Sequence, residues 1–105
     1  MIELAINLET IYPGMDFCEK IRRVHNAGFR AIEFWGWQDK NLEKVKATCR
    51  ELGIKIQAFS GTLSWSLCDR ESREAYMNWI RKSIQTAQEL DCTNLILFPN
   101  HFTAE

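Results

Sequence analysis

The chain alternates along its length between short strand-like segments and helix-like segments. Segments rich in aliphatic and aromatic residues predict four strands, at residues 2–8, 31–35, 54–60 and 94–98. Apolar residues recur at helical spacing after each of the first three strands. Strands that alternate with helices pair in parallel, and a parallel sheet must be covered on both faces or closed into a barrel. We therefore predict an α/β fold with four strands and three helices, about half of a (β/α)8 TIM barrel of roughly 250 residues.

Size and charge restrict the class of protein further. The 105 residues predict a single domain, residues 1–105, and a formal net charge of -1 argues against nucleic acid or an anionic membrane as a partner. No apolar run approaches the roughly 20 residues of a membrane span, and the amino terminus does not resemble a signal peptide. The four cysteines form no CxxC pair, which favours reduced thiols in a cytoplasmic protein.

Helix boundary signals are clear for the first two helices. Asp16 is the expected N-cap of the first, which ends at Gly28, and the second runs from Asn41 to Gly53. The third is expected over residues 71–90, with Asp91 where a glycine is usual. The expected buried face of the third helix consists of Met77, Ile80, Ile84, Ala87 and Leu90.

Alternation within the first two strands predicts which side chains face the barrel interior. In the first strand Ile2, Leu4, Ile6 and Leu8 should lie under the helices, with Asn7 and Glu9 pointing inward or into the mouth of the barrel at the carboxyl end of the strand. In the second strand the inward residues are Glu33 and Trp35. A carboxylate inside a buried sheet is costly unless it is hydrogen-bonded. Glu33 is therefore either a satisfied interior residue or a wall of a substrate pocket, and the sequence leaves both open.

The loops that follow strands are longer and richer in polar and aromatic residues than the loops that follow helices. This asymmetry is typical of a barrel whose site lies at the carboxyl ends of the strands. Trp35, Trp37 and Trp65 fall on that rim. They either line a pocket for a small ligand or cover the strand ends as part of the core. A flavodoxin-like fold is the alternative, but the loop at residues 10–14 has one glycine and so lacks the expected glycine-rich turn.

Several motifs together resemble a known family. Residues 4–9 (LAINLE), 17–22 and 27–35 (AGFRAIEFW) are similar to the opening of hydroxypyruvate isomerase-type proteins, which belong to the xylose isomerase-like TIM barrels with sugar isomerases and epimerases. Residues 51–54 and 58–61 continue the likeness. The resemblance extends over essentially the whole chain but only over the first half of the family's barrel.

The resemblance implies a substrate-facing wall rather than a complete active site. It places five residues nearest the substrate: Asn7, Glu33, Trp35, Ser60 and Gly61. It identifies no catalytic residue here, because the family's Mg²⁺ or Mn²⁺ ligands and catalytic glutamates come largely from later strands. We therefore expect no metal or other cofactor in this half. His101 is expected on the same rim, but a lone histidine near a chain end is more often a solvated residue than a ligand.

The activity implied for the full-length family is isomerisation of a small sugar or hydroxy-keto acid through an enediolate. The isolated chain should be inactive, because its only candidate metal ligands are Glu9, Glu33 and His101. A second hypothesis is a non-catalytic half barrel that self-associates through open edges and an inner face near Trp35, Phe59 and Phe98. A nuclease is the weakest hypothesis, because the chain has no basic groove.

Overall fold

A computed structural model describes residues 2–62 and 64–100. The strands are β1 (Ala5–Asn7), β2 (Ala31–Phe34), β3 (Lys55–Ser60) and β4 (Leu95–Ile96), and the helices are α1 (Phe17–Asn26), α2 (Leu42–Leu52) and α3 (Arg73–Glu89). A short 3-10 helix, Leu8–Thr10, follows β1 directly. The strands pair in parallel in the order β1-β2-β3-β4. The predicted α/β fold with four sequential parallel strands and three helices is therefore confirmed.

The caps of α1 and α2 are those that the sequence predicted. The Asp16 carboxylate accepts a hydrogen bond from the Glu19 backbone N–H at 3.2 Å, and the Asn41 amide oxygen accepts one from Lys44 N–H at 3.2 Å. Gly28 and Gly53 have φ of 95° and 69°. Only glycine adopts that region without strain, which ends both helices where the apolar period ends.

All three helices pack on the same face of the sheet. One buried cluster contains Ile21 and Val24 of α1, Val45 and Cys49 of α2, and Ala87 and Leu90 of α3, together with strand residues Ile32, Phe34 and Phe59. A doubly wound sheet would divide its helices between two faces. The shared core is therefore that of a barrel segment, with the other face of the sheet turned toward the barrel interior.

The first strand is shorter than predicted. Ile2 and Leu4 lie before β1 and are 88% and 62% exposed, so their predicted place under the helices is wrong. Leu8 is fully buried, but it belongs to the 3-10 helix and not to the strand. The alternation in the sequence extends beyond the stretch that β2 can pair with, because the parallel register begins at Ala5 opposite Ala31.

A bulge in β3 changes the prediction for Phe59. The register passes from Ile32 opposite Ile56 to Glu33 opposite Ala58, which leaves Gln57 as the extra residue. Phe59 then lies opposite Phe34, fully buried, with the two rings stacked at 5.2 Å. The expectation that Phe59 lies near the exposed inner face is therefore wrong.

The buried face of α3 differs in part from the prediction: Ala87 and Leu90 are buried as expected, but two other predicted residues are not. Tyr76, Ser83, Thr86 and Ala87 are buried, whereas Met77 and Ile84 are substantially exposed. The buried face is rotated from the apolar stripe because Ser83 and Thr86 occupy core positions. Asp91 ends this segment with φ of 55°, which provides the left-handed turn that glycine provides after α1 and α2.

Candidate functional site

Neighbouring strands bring Asn7 and Glu33 together at the carboxyl end of the sheet. They lie opposite each other in the β1–β2 register, and Glu33 lies opposite Ala58 of β3. The Asn7 Nδ2 amide donates to Glu33 Oε1 at 3.3 Å, and the pair is partly buried. Two residues that are 26 positions apart in the sequence therefore form one polar surface on the inner face of the sheet.

The orientation of the Asn7 side chain is determined at both of its ends. Its Oδ1 accepts a hydrogen bond from the Glu9 backbone N–H at 2.9 Å, which caps the 3-10 helix. Because the oxygen is committed to that N–H, the amide nitrogen faces Glu33. Asn7 thus caps the turn after β1 and holds the Glu33 carboxylate.

Small side chains surround Glu33 on the inner face. Ala31 precedes it by two positions on β2, and Ala58 is its neighbour on β3. Both alanines are buried, at 2% and 8% exposure, so the only polar side chains at these three positions are those of Glu33 and its partner Asn7. A partly buried carboxylate beside a fixed amide provides the kind of polar groups that orient a small ligand.

Trp35 and Ser60 lie one step further toward the rim. The Ser60 backbone N–H donates to the Trp35 carbonyl at 2.9 Å, so the two residues are adjacent. Trp35 is 51% exposed while Ser60 is buried. An exposed indole on this edge offers an apolar wall next to the polar Asn7–Glu33 pair.

Gly61 has a packing function in the structure. Its N–H donates to the Ile96 carbonyl at 2.9 Å, and its carbonyl accepts from Ser83 Oγ at 2.7 Å. A Cβ at this position would lie 3.0 Å from Leu97 Cδ2. The absence of a side chain therefore allows β4 to approach β3 closely.

Two of the three predicted rim tryptophans pack against α3. Trp37 stacks on Trp79 with ring centroids 4.8 Å apart, and Trp65 contacts Trp79 at 5.2 Å. The Trp37 indole N–H donates to Ser83 Oγ at 2.8 Å. Trp37 and Trp65 therefore cover the strand ends, whereas Trp35 is left as an aromatic side chain on the inner rim.

An ion pair that was not predicted from the sequence joins Lys40 and Glu9. Lys40 Nζ lies 2.5 Å from Glu9 Oε1, and the two side chains are 5% and 21% exposed. The same Glu9 oxygen accepts a hydrogen bond from the Trp35 backbone N–H at 3.3 Å. Glu9 is thus a structural link between the 3-10 helix and the end of β2, although its strand position had predicted an inward-facing carboxylate.

The described residues do not by themselves fit a divalent metal. Within residues 2–62 and 64–100 no three His, Cys, Asp or Glu side chains cluster in a metal-binding arrangement. Glu9 is engaged by Lys40 and the Asn7 amide oxygen by the Glu9 backbone N–H, which leaves the Glu33 carboxylate as the oxygen ligand of this pair on the inner face. Mg²⁺ requires near-octahedral coordination by about six oxygens. His101 lies outside the described residues.

A groove of about 660 Å³ lies at the other end of the sheet, lined by Ile2, Glu3, Leu4, Gly28, Phe29 and Arg30. These residues precede β1 and β2, so the groove is at the amino ends of the strands. Active sites of β/α barrels form at the carboxyl ends. The inner face around Asn7 and Glu33 is therefore the better candidate site.

The fold and this inner face define an α/β barrel segment with a polar surface at the carboxyl ends of its strands. Residues 21–105 match the family described as Xylose isomerase-like TIM barrel. The chain belongs to that family. Among curated proteins, none matches the sequence at a significant level.

Three solved structures share the fold. An AP endonuclease of family 2 from Brucella melitensis matches with a TM-score of 0.82 and 20% identity, over 90% of this chain and 40% of that chain. The 3-keto-D-glucoside 4-epimerase from E. coli matches with a TM-score of 0.76 and 21% identity, over 90% and 37%. A xylose isomerase-like TIM barrel/4-hydroxyphenylpyruvate dioxygenase fusion protein matches with a TM-score of 0.75 and 19% identity, over 91% and 16%.

These likenesses establish the fold and leave the activity open. This chain spans 40% or less of the length of the three solved structures. None of the helices in the described part of the chain is long and apolar enough to cross a membrane. All four cysteines are free.

Proposed function

We propose that this chain forms the substrate-facing wall of a cytoplasmic sugar isomerase or epimerase of the hydroxypyruvate isomerase type. The observation that carries the proposal is the Asn7–Glu33 hydrogen bond on the inner face, at 3.3 Å. A carboxylate accepts hydrogen bonds from substrate hydroxyl groups, and an amide held beside it fixes the direction of its free lone pairs. Small hydroxy-carbonyl compounds offer the hydroxyl donors that such a surface recognises.

The chemistry of that class needs more than this wall. A base removes a proton next to the carbonyl, and a metal or cationic donor stabilises the enediolate oxygen. Glu33 provides a carboxylate, but the described inward-facing positions near it contain no Lys or Arg. The electrophile, which is Mg²⁺ or Mn²⁺ in the family that the sequence resembles, must be held largely by residues from further strands. The part played by Asn7, Glu33, Trp35 and Ser60 is substrate binding.

The proposal is tested by supplying the rest of the barrel. The chain is mixed with the carboxyl-terminal half of an intact family member, and turnover of hydroxypyruvate and small ketoses is measured with Mg²⁺ or Mn²⁺. We expect turnover in the mixture and none with either half alone. Glu33→Gln should reduce kcat/KM at least about tenfold, because hydrogen bonds to charged groups contribute about 1.5–3 kcal/mol.

The matched control is Glu51→Gln, which makes the same chemical change on an exposed position of α2. It should leave turnover unchanged. Equal turnover by the Glu33→Gln and unsubstituted mixtures would contradict the proposal. Cleavage of abasic-site DNA in place of isomerisation would favour a nuclease, which the net charge of -1 argues against.

A second candidate is a half barrel that self-associates without catalysis. It is favoured by the apolar residues at the β4 edge, where Ile96, Leu97 and Phe98 are 38%, 45% and 46% exposed. An open strand edge beside exposed apolar side chains is a surface for another chain. The remaining strands of a barrel or a second copy of this chain would cover the same surface, so the mixing experiment also separates the two functions.

A further inference from the structure

Lys40 is a buried cation next to the proposed substrate wall, and the function proposed above does not use it. Its ammonium group has three donors, and three oxygens accept from it: Glu9 Oε1 at 2.5 Å, Gly36 O at 2.6 Å and Asp39 Oδ1 at 3.1 Å. Burial of a charge is costly unless it is paired and hydrogen-bonded. The local structure around Lys40 therefore satisfies it completely.

Aromatic rings surround the same ammonium group. Lys40 Nζ lies 5.1 Å from the centroid of Phe17 and 5.2 Å from that of Phe34. Both rings belong to the core on the helix-covered face of the sheet. Lys40 therefore approaches the end of β2 from the opposite side to Glu33, so it does not itself line the inner face.

The contacts of Lys40 continue to the inner face through Glu9. The Glu9 carboxylate binds Lys40 and the Trp35 backbone N–H, while the Glu9 backbone N–H binds Asn7 Oδ1. Asn7 in turn donates to Glu33. Hydrogen bonds thus link Lys40 to the Glu9 side chain, and the Glu9 backbone to Asn7 and on to Glu33, with a branch from the Glu9 side chain to Trp35.

We propose that Lys40 is a positioning residue for the substrate wall. It holds the Glu9 carboxylate, which sets both the 3-10 helix that presents the Asn7 cap and the backbone of Trp35. Its effect on Glu33 passes through Asn7 and involves no direct contact with substrate. That the positioned residues bind substrate rests on the proposed function. The effect of Lys40 on the positions of Glu9, Asn7 and Trp35 can be measured without any assay of activity.

The test uses hydrogen exchange in the 105-residue chain. Lys40→Met keeps a long unbranched side chain but removes the charge and the donors. We expect exchange of the Glu9 and Trp35 amides and of the Asn7 side-chain amide to accelerate about tenfold or more, as expected for loss of a charge-assisted contact. The Ile54 amide, bonded to Cys49 O at 2.9 Å, is the internal reference for global destabilisation.

Matched variants separate a local effect from a general one. Asp39→Asn alters a partner whose side chain is 70% exposed and should leave all three probes nearly unchanged. Lys20→Met removes another buried lysine, bonded to Leu8 O at 2.9 Å, and should spare the Trp35 amide. If Lys40→Met does not fold, Glu9→Gln probes the same link while retaining an acceptor for Trp35 N–H.

Unchanged exchange at Glu9, Trp35 and Asn7 relative to Ile54, in Lys40→Met or in Glu9→Gln, would overturn the proposal. In the reconstituted barrel, Lys40→Met should raise KM in the same direction as Glu33→Gln. Faster exchange in Lys40→Met, combined with full turnover in Glu33→Gln, would retain the positioning link and reject the proposed function.

Discussion

Ser83 offers the sharpest test of how the rim of the sheet is held together. Its hydroxyl is fully buried, accepts from the Trp37 indole N–H at 2.8 Å and donates to the Gly61 carbonyl at 2.7 Å. It therefore joins the loop after β2, the end of β3 and helix α3 through one oxygen. Ser83→Ala removes both hydrogen bonds while changing the side-chain volume very little.

The expected cost follows from the two groups that lose their partners. Each buried donor or acceptor left unsatisfied costs about 1–3 kcal/mol. Because Trp37 is partly buried and can regain some hydration, we expect about 2–4 kcal/mol in total for Ser83→Ala. This is a large fraction of the roughly 5–15 kcal/mol by which a domain of this size is stable. With a urea m-value of about 2 kcal/mol/M, the middle of the usual range, the unfolding midpoint should fall by about 1–2 M.

Urea unfolding followed by far-ultraviolet circular dichroism measures this shift. Ser64→Ala is the matched control, because Ser64 is exposed and surface substitutions usually change stability by less than about 0.5 kcal/mol. Trp37→Phe removes the indole donor, so a double-mutant cycle with Ser83→Ala should give a coupling of about 1 kcal/mol. A midpoint for Ser83→Ala that matches Ser64→Ala, or zero coupling in the cycle, would refute the reasoning.

Two further predictions concern the thiols and the open edges. Burial, with a smaller contribution from Cys18, raises the pKa of the Cys49 thiol from 9.0 to about 12. In the unfolded chain this thiol ionises at lower pH than in the folded chain, so the urea midpoint should fall as pH rises from about 9 toward 12. The fall should be smaller in Cys49→Ala, and an equal fall would contradict the prediction. Cys68→Ser, at an exposed cysteine, is the control. The isolated chain should also self-associate at tens of micromolar, roughly where exposed strand edges associate, and sedimentation of a stable monomer would count against it.

Local signals in the sequence were sufficient for much of the fold. Asp16 and Asn41 as caps, and Gly28 and Gly53 as helix ends, depend on interactions within a few residues, and these boundaries were predicted correctly. The juxtaposition of Asn7 with Glu33 was also accessible, because parallel strands in sequential order place corresponding inward residues side by side.

Features that depend on contacts between distant parts of the chain could not be predicted from the sequence. The bulge at Gln57 reverses the expected side of Phe59, and a bulge depends on how β3 pairs with β2 rather than on its own residues. The predicted buried face of α3 was wrong at Met77 and Ile84. Ser83 is polar and yet occupies a core position, because its hydroxyl is satisfied by Trp37 and Gly61 from two distant loops. The Lys40–Glu9 pair spans 31 positions, and no local period signals such a contact.

The carboxyl end of β2 is held from both sides of the sheet. On the helix side, Lys40 binds Glu9, which binds the Trp35 backbone; on the inner side, Asn7 binds Glu33. All of these bonds form among residues 7–40 of this chain. The side-chain contacts of the Glu33 carboxylate are therefore set by β1, β2 and the loop that follows β2, while β3 supports the backbone of β2 through its pairing at Ala58 and Phe59. In the proposed enzyme, the remaining strands then have to supply the electrophile and the base, while the substrate-binding wall is already in place.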